Sequence, residues 1–225
     1  MWTTEQKQFN RLKREYCIYL DATERVDRDM VKDCIRHYIH DDVDYTGKVC
    51  LDLGGNVGGF TKIAIDGGAA AVYTVECDPR NYQKLQTSFA EEPKANIIHA
   101  AVSGCDDETI KIYKGNSAGA HCSTSILKRS SFGEYDEVRN IHIKELLETY
   151  KPDIIKIDIE GAEYDIIQDV ANYYPEVIFV ELHMGKVKQF AQPTIDLLTE
   201  LYPNNQVNSF EVFKHIGGYD CWFKK

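Results

Sequence analysis

Within the run IIKIDIEGAEYDII, residues 154–167, the charged residues Lys156, Asp158 and Glu160 alternate with apolar ones. The apolar ends predict a buried strand over 153–159 and a helix over 162–171;. At the two-residue period of a strand the three charged side chains share one face. Strands of a parallel sheet are covered on both faces and are nearly all apolar. Buried charges are tolerated only when paired, wet or bound to something. This strand is therefore expected to run out into a cleft at its C-terminal end, the edge where open α/β sheets bind ligands. Carboxylates there can orient a reacting group. Asp158, Glu160 and Glu163 can also gather a hard divalent cation such as Mg²⁺. Glu163 has a plainer use as well, supporting the N-terminus of the following helix. Lys156, deeper in the strand, reads as the buried ion-pair partner of Glu160 or Glu181.

The elements that must position these residues follow from periodicity. Phe9, Leu12, Tyr16 and Leu20 predict a helix over 5–20, and Met30, Cys34 and Tyr38 a second one;. A strand at 48–53 leads through a Gly-rich turn, 54–59, to a helix carrying Phe60, Ile63 and Ala64;. Strand 71–76, a helix with Tyr82, Leu85 and Phe89, and strand 96–102 come next. After the strand at 153–159 and its helix, VIFVEL (177–182) is another apolar strand, and Pro193 opens a helix with Ile195, Leu198 and Leu201;. Two closing strand-like runs, 206–214 and 219–225, are joined at Gly217-Gly218 as a hairpin;. Alternating strands and helices predict an α/β fold: a mostly parallel sheet with helices on both faces and an antiparallel hairpin at its C-terminal edge. Residues 103–140 interrupt the alternation with one strand, TIKIY, then a Gly/Ser-rich and a charged stretch. They read as an insertion over the mouth of the sheet and a candidate substrate loop. The expected organisation is one domain, with a helical cap (1–46), a core (48–183) and a C-terminal helix and hairpin (184–225).

Length and composition narrow the function classes. The chain has 225 residues, 43% hydrophobic, enough for a full core;. Its net charge of −10 argues against a surface built for general phosphate binding;. No stretch approaches the ~20 apolar residues of a membrane span, and Met1 is followed by polar sequence rather than a leader;. Seven scattered cysteines without a CxxC pair fit reduced thiols in a cytoplasmic protein;.

The turn VCLDLGGNVGGFT (49–61) fails the dinucleotide pattern G-x-G-x-x-G, because Asn56 stands at the second glycine position;. It fits D-x-G-x-x-x-G instead, with Asp52, Gly54 and Gly58, and Gly55 beside them. That is the turn of S-adenosylmethionine (SAM) dependent methyltransferases. SAM has no pyrophosphate to seat on a helix; it has an ammonium for an acidic residue and a carboxylate for backbone N–H groups. Glu76, about twenty residues on, is placed to accept both ribose hydroxyls;. Cys77 or Asp78 would border the adenine, with Ala101 and Val102 against one face of it.

Together LDLGGNVGGFT, VECDP, AAVSG and KIDIEGAEYDII resemble the FkbM family of methyltransferases, over roughly residues 48–183. The string K-x-D-x-E-G-x-E, from Lys156 to Glu163, is the most specific part. The resemblance implies a Rossmann-like class I methyltransferase fold and SAM-dependent O-methylation, often of sugars or other secondary metabolites. On this mapping Asp52, Gly54, Asn56, Gly58 and Glu76 line the cofactor site, and Asp158 sits between cofactor and substrate. The first 45 residues and the 115–140 stretch depart from the family pattern, so the resemblance does not carry the acceptor over.

Methyl transfer from a sulfonium to a hydroxyl needs positioning and a group to take the hydroxyl's proton, or a metal that acidifies it. His183, directly after strand 177–182, is the candidate base, with Asp158 or Glu160 orienting it; His121 is the weaker alternative. The expected acceptor is a hydroxyl of a sugar, glycan or small metabolite. The rivals are RNA ribose 2′-O-methylation resembling the FtsJ type, through Lys32, Asp158, Lys186 and Glu211, and a non-catalytic SAM-binding protein. The acidic balance disfavours RNA.

Overall fold

The computed structural model describes residues 4–40, 42–115, 125–126, 132–183, 190–213 and 216–225. Helices α1 (Thr4–Tyr19) and α2 (Arg25–Tyr38) come first. Strand β1 (Val49–Leu53) feeds α3 (Gly59–Asp66), then β2 (Ala71–Glu76), α4 (Pro79–Ser88) and β3 (Ala95–His99). A short β4 (Ala101–Ser103), β5 (Thr109–Gly115) and β6 (Phe132–His142) follow, then α5 (Ile143–Tyr150). Strand β7 (Ile154–Ile157), α6 (Glu163–Tyr173), β8 (Val177–His183) and α7 (Ala191–Leu201) lead to β9 (Asn204–Phe213) and β10 (Ile216–Lys224).

Seven strands form the main sheet in the order β3-β2-β1-β7-β8-β10-β9. The first five run parallel, and β10 pairs antiparallel with both β8 and β9. Alternation along each strand divides the core in two. Cys50, Val72, Ile154, Val177 and Phe179 pack with α1, α2, α3 and the end of α4. Leu51, Leu53, Ile155, Ile157, Ile178, Val180 and Leu182 face the other way, against α5, α6 and α7. The three-layer α/β architecture expected from the alternation is present. Among the described residues no helix is long and apolar enough to cross a membrane.

Four readings of the sequence need correction. The expected strand 96–102 breaks at Ala100: β3 stays in the main sheet, while β4 pairs parallel with β6 in a separate three-stranded sheet, β4-β6-β5. The charged stretch before Asn140 is no plain loop, for Phe132–His142 is a strand paired antiparallel with β5. The Gly217-Gly218 pair lies inside β10, opposite Glu211 and Phe210, and not at the hairpin turn. Finally, β7 stops at Ile157, so Lys156 is in the strand but Asp158 and Glu160 lie beyond it. The three charges therefore do not share a strand face.

Candidate active site

The turn after β1 is built by backbone conformation. Gly54 (φ 82°), Asn56 (φ 49°) and Gly58 (φ 92°) all adopt left-handed backbone, which costs a residue with a Cβ and suits glycine;. At Gly54 an added Cβ would lie 1.8 Å from the Asp158 carbonyl oxygen, so the turn passes directly under the end of β7. The Gly54 and Gly55 N–H groups donate to the Val75 carbonyl, tying the turn to β2. Asn56 closes it from within, its Oδ1 accepting from the Val57 N–H.

Glu76 ends β2, buried with 5% exposure. Its two oxygens accept from the Asn56 and Asp78 backbone N–H groups, both at 2.7 Å. Burial pushes its pKa up to about 7, although both hydrogen bonds and Lys156 oppose the rise;. Each carboxylate oxygen has a second lone pair to offer. Cys77 follows and packs with Ala101 in the small cluster around Ile112 and Val138. Val102 instead points into the main core beside Ile141 and Leu146. Ala101 and Val102 thus look in opposite directions, as neighbours on a strand must, and the expectation that both face one ring is corrected.

Asp52 and Lys156 sit beneath the turn. Asp52 is fully buried; its Oδ2 accepts from the Thr61 hydroxyl at 2.8 Å, and Thr61 also bonds Thr74. Its Oδ1 lies 3.2 Å from Lys156 Nζ, which is 3.7 Å from Asp158 Oδ2. The ammonium also donates to the carbonyls of Leu53 and Gly54. Burial works against this charge, but Asp52 and Asp158 more than offset it and raise the Lys156 pKa. Lys156 therefore pairs with Asp52 and Asp158, not with Glu160 or Glu181 as its spacing had suggested. It braces the ends of β1 and β7 against each other.

The acidic residues beyond β7 meet the end of β8. Glu160 and Gly161 make a tight turn at φ 57° and 104°. Glu163, fully buried at the start of α6, accepts through Oε1 from the Ile159 and Gly161 N–H groups and faces His183 Nδ1 at 3.0 Å. Its Oε2 is buried without a hydrogen-bond partner among the described residues. The other ring nitrogen of His183, Nε2, lies 3.3 Å from Glu181 and 3.5 Å from Glu160. Burial lowers the imidazole pKa, but Glu160, Glu163 and Glu181 outweigh it and hold it well above the ordinary histidine value. Burial and the nearby Asp158 raise the Glu181 carboxyl in turn. One donor atom each from Asp158, Glu181 and His183 lie within 4.8 Å of one another. The cation set expected from sequence, Asp158 with Glu160 and Glu163, is thus not the one that converges. Glu181 entered the sequence reading only as an ion-pair partner, yet its place two residues before His183 puts both on one strand face.

Glu181 also lines a cavity of about 120 Å³ between α2 and β8–β10, with Arg36, His37, His40, Phe179, Asp220 and Trp222. His37 Nε2 lies 3.5 Å from Asp220 Oδ2, and the His40 ring stacks on Phe179 at 5.7 Å between centroids. The sequence reading singled out none of His37, His40, Asp220 and Trp222. From the inserted segment, the Ser125 hydroxyl donates to the Glu160 carbonyl at 2.5 Å, so that segment reaches the site. His121 and Lys186 lie outside the described residues. Of the other residues in the RNA-type set, Lys32 is on α2, and Glu211 is placed only by its backbone in β9.

Comparison with known proteins bears on this arrangement. No curated protein matches the sequence. Among solved structures, PH1948 of Pyrococcus horikoshii, a candidate RNA methyltransferase, superposes with TM-score 0.51 at 13% identity, covering 100% of this chain and 98% of that one. The precorrin-6y C5,15-methyltransferase of Geobacter metallireducens gives 0.49 at 11%, covering 90% and 89%. At 13% identity the likeness to the first of these speaks for the class I methyltransferase fold alone. The family model of the FkbM methyltransferase domain matches residues 52–212, from the buried aspartate of β1 into β9. The chain belongs to the FkbM methyltransferase family and is a methyltransferase.

Proposed function

We propose that the protein transfers the methyl group of SAM to a hydroxyl of a sugar, glycan or small metabolite, in the cytoplasm. The observation that carries this reading is the closeness of the glycine turn to Asp158: the turn's backbone runs directly under the Asp158 carbonyl. A cofactor held by the turn would present its methyl to the mouth where Asp158, Glu160, Glu181 and His183 gather.

In this reading Glu76 accepts the ribose hydroxyls while its bonds to Asn56 and Asp78 keep it in place. The amino-acid end meets the first turn of α3, whose leading N–H groups have no carbonyl partner within the helix;. Asp52 acts through the turn, since its oxygens are engaged by Thr61 and Lys156. Cys77 and Ala101 border the adenine, with Val102 behind them in the core. Asp158 orients the acceptor hydroxyl. The hydroxyl oxygen forms the new C–O bond as the C–S bond breaks, its electron pair going to sulfur. The sulfonium becomes a neutral thioether, and the hydroxyl's proton leaves through the mouth.

His183 is the proposed proton acceptor, with Nδ1 anchored on Glu163 and Nε2 toward the other carboxylates. Those carboxylates keep its proton on, so it serves as a base only when another positive group meets their charge. The acceptor enters from the side of α2 and the inserted segment, which supply the cavity walls and Ser125. The net charge of −10 weighs against a phosphate-rich acceptor;. The test is transfer of label from methyl-labelled SAM to a panel of hydroxylated acceptors. Transfer that Asp158→Asn removes supports the reading; transfer unaffected by that change refutes the place given to Asp158.

A further inference from the structure

We infer that Asp158, Glu181 and His183 form a site for one divalent cation of the Mg²⁺/Mn²⁺ kind, beside the methyl-acceptor position. The inference rests on the methyltransferase reading above for what the cation would do, but not for whether it binds. Asp158, just past the end of β7, and Glu181 and His183 of the adjacent parallel strand β8 bring one donor atom each to within 4.8 Å of one another. Two are carboxylate oxygens and one is an imidazole nitrogen, a mixed oxygen–nitrogen set that suits such cations and leaves positions for water or substrate oxygen.

The second observation lies outside the ligand set. Glu163 is fully buried and anchored by two backbone N–H groups, and it holds the Nδ1 side of His183. Metal-ligating histidines are oriented in this way by a carboxylate on the far ring nitrogen, which fixes the tautomer and aims the other nitrogen at the ion. Here that other nitrogen is Nε2, the one beside Glu181. Glu163 has, in addition, a buried Oε2 without a hydrogen-bond partner among the described residues, so those residues meet its negative charge incompletely.

The charge around the site leans the same way. Asp158, Glu160, Glu163 and Glu181 converge from β7, its following turn, α6 and β8, and Asp220 faces Glu181 across the β8–β10 pair. Among the described residues the facing cations include Lys156, already shared with Asp52, His37, which pairs with Asp220, and Arg36 on the cavity wall, which pairs with Asp33. A divalent ion would supply the missing positive charge. The ion would displace the Nε2 proton of His183, which then serves as a ligand and no longer as the proton acceptor; bound to an acceptor hydroxyl, the ion would acidify the O–H, and that proton would pass to solvent water as the oxygen attacks the methyl.

The experiment is a titration of the purified full chain with Mn²⁺, following free Mn²⁺ by electron paramagnetic resonance. S-adenosylhomocysteine (SAH, the demethylated product) binding is measured in parallel by calorimetry. The expected result is one saturable Mn²⁺ site, weakened about 10-fold or more by Glu181→Gln and by His183→Gln, with SAH affinity kept. Glu163→Gln should weaken Mn²⁺ by a smaller but clear factor, as a positioning residue would. Circular dichroism identifies any variant that has not folded, and either ligand variant then suffices. No Mn²⁺ uptake up to about 1 mM while SAH still binds would overturn the site and leave the methyltransferase reading standing. Mn²⁺ uptake unchanged in both ligand variants would also overturn it, as binding to an acidic surface. Loss of SAH binding in the unaltered protein would count against the cofactor reading instead.

Discussion

Glu76→Gln separates what a buried carboxylate costs the fold from what it does for the cofactor. In the fold the Glu76 pKa rises from 4.5 to about 7, with burial the main cause. A raised carboxylate pKa means that the folded protein holds the proton more tightly than the unfolded chain. The resulting stability is fully present below about pH 4.5 and is lost as pH rises to about 7;. A shift of that size corresponds to roughly 3 kcal/mol. Glutamine is neutral at every pH, so its variant escapes this loss. The melting temperature of the variant relative to the unaltered protein should therefore rise between pH 5 and pH 8, by roughly 6–12 °C for a chain of this size. SAH binding should move the other way. Loss of a charged acceptor for two ribose hydroxyls weakens affinity by roughly 1–3 kcal/mol, or about 5- to 150-fold. SAH affinity of the unaltered protein should fall as pH drops below about 7 and level off near that of the variant, whose own affinity should stay flat;. Scanning fluorimetry and calorimetry across this range read both effects. Parallel melting curves would show that Glu76 does not titrate as its burial requires. Equal SAH affinities would refute its place at the ribose.

Three other substitutions probe the site. Asp158→Asn should lower methyl transfer by about 100-fold or more while SAH binding persists, measured with labelled SAM and calorimetry. Lys156→Met should destabilise the fold by about 3–5 kcal/mol in urea denaturation, because it strips a buried cation from Asp52 and Asp158;. A loss below about 1 kcal/mol would mean that water, not Lys156, meets those charges. Gly54→Ala should abolish SAH binding or folding, since its Cβ would meet the Asp158 carbonyl at 1.8 Å from a left-handed φ. Normal binding in that variant would remove the argument from the close approach of turn and β7.

Much of the fold is legible because the main strands obey simple periods. Strand β2 has the bounds 71–76 that the apolar run gives. The segment around β6 escaped because its outward face is strongly charged: Glu137 and Arg139 are exposed while Val138 and Asn140, alternating with them, are buried. That alternation was present in the sequence but read as a polar loop. Helix α5 follows the same stretch, with Ile143, Leu146 and Leu147 at helical spacing. The site was legible in its residue types more than in its pairings. A strand period placed Lys156, Asp158 and Glu160 together, but hydrogen bonding ends β7 at Ile157, and a left-handed turn redirects Glu160. Of the two carboxylate partners of Lys156, Asp158 is local, but Asp52 comes from β1, 104 residues away, and no local spacing announces it.

The most direct test of the account is to incubate the protein with methyl-labelled SAM and a lysate of its native host, then partition the label. Label in small-molecule or glycan material, dependent on Asp158, is the predicted result. Label in RNA would contradict the proposed acceptor class while leaving the fold and the cofactor turn as described.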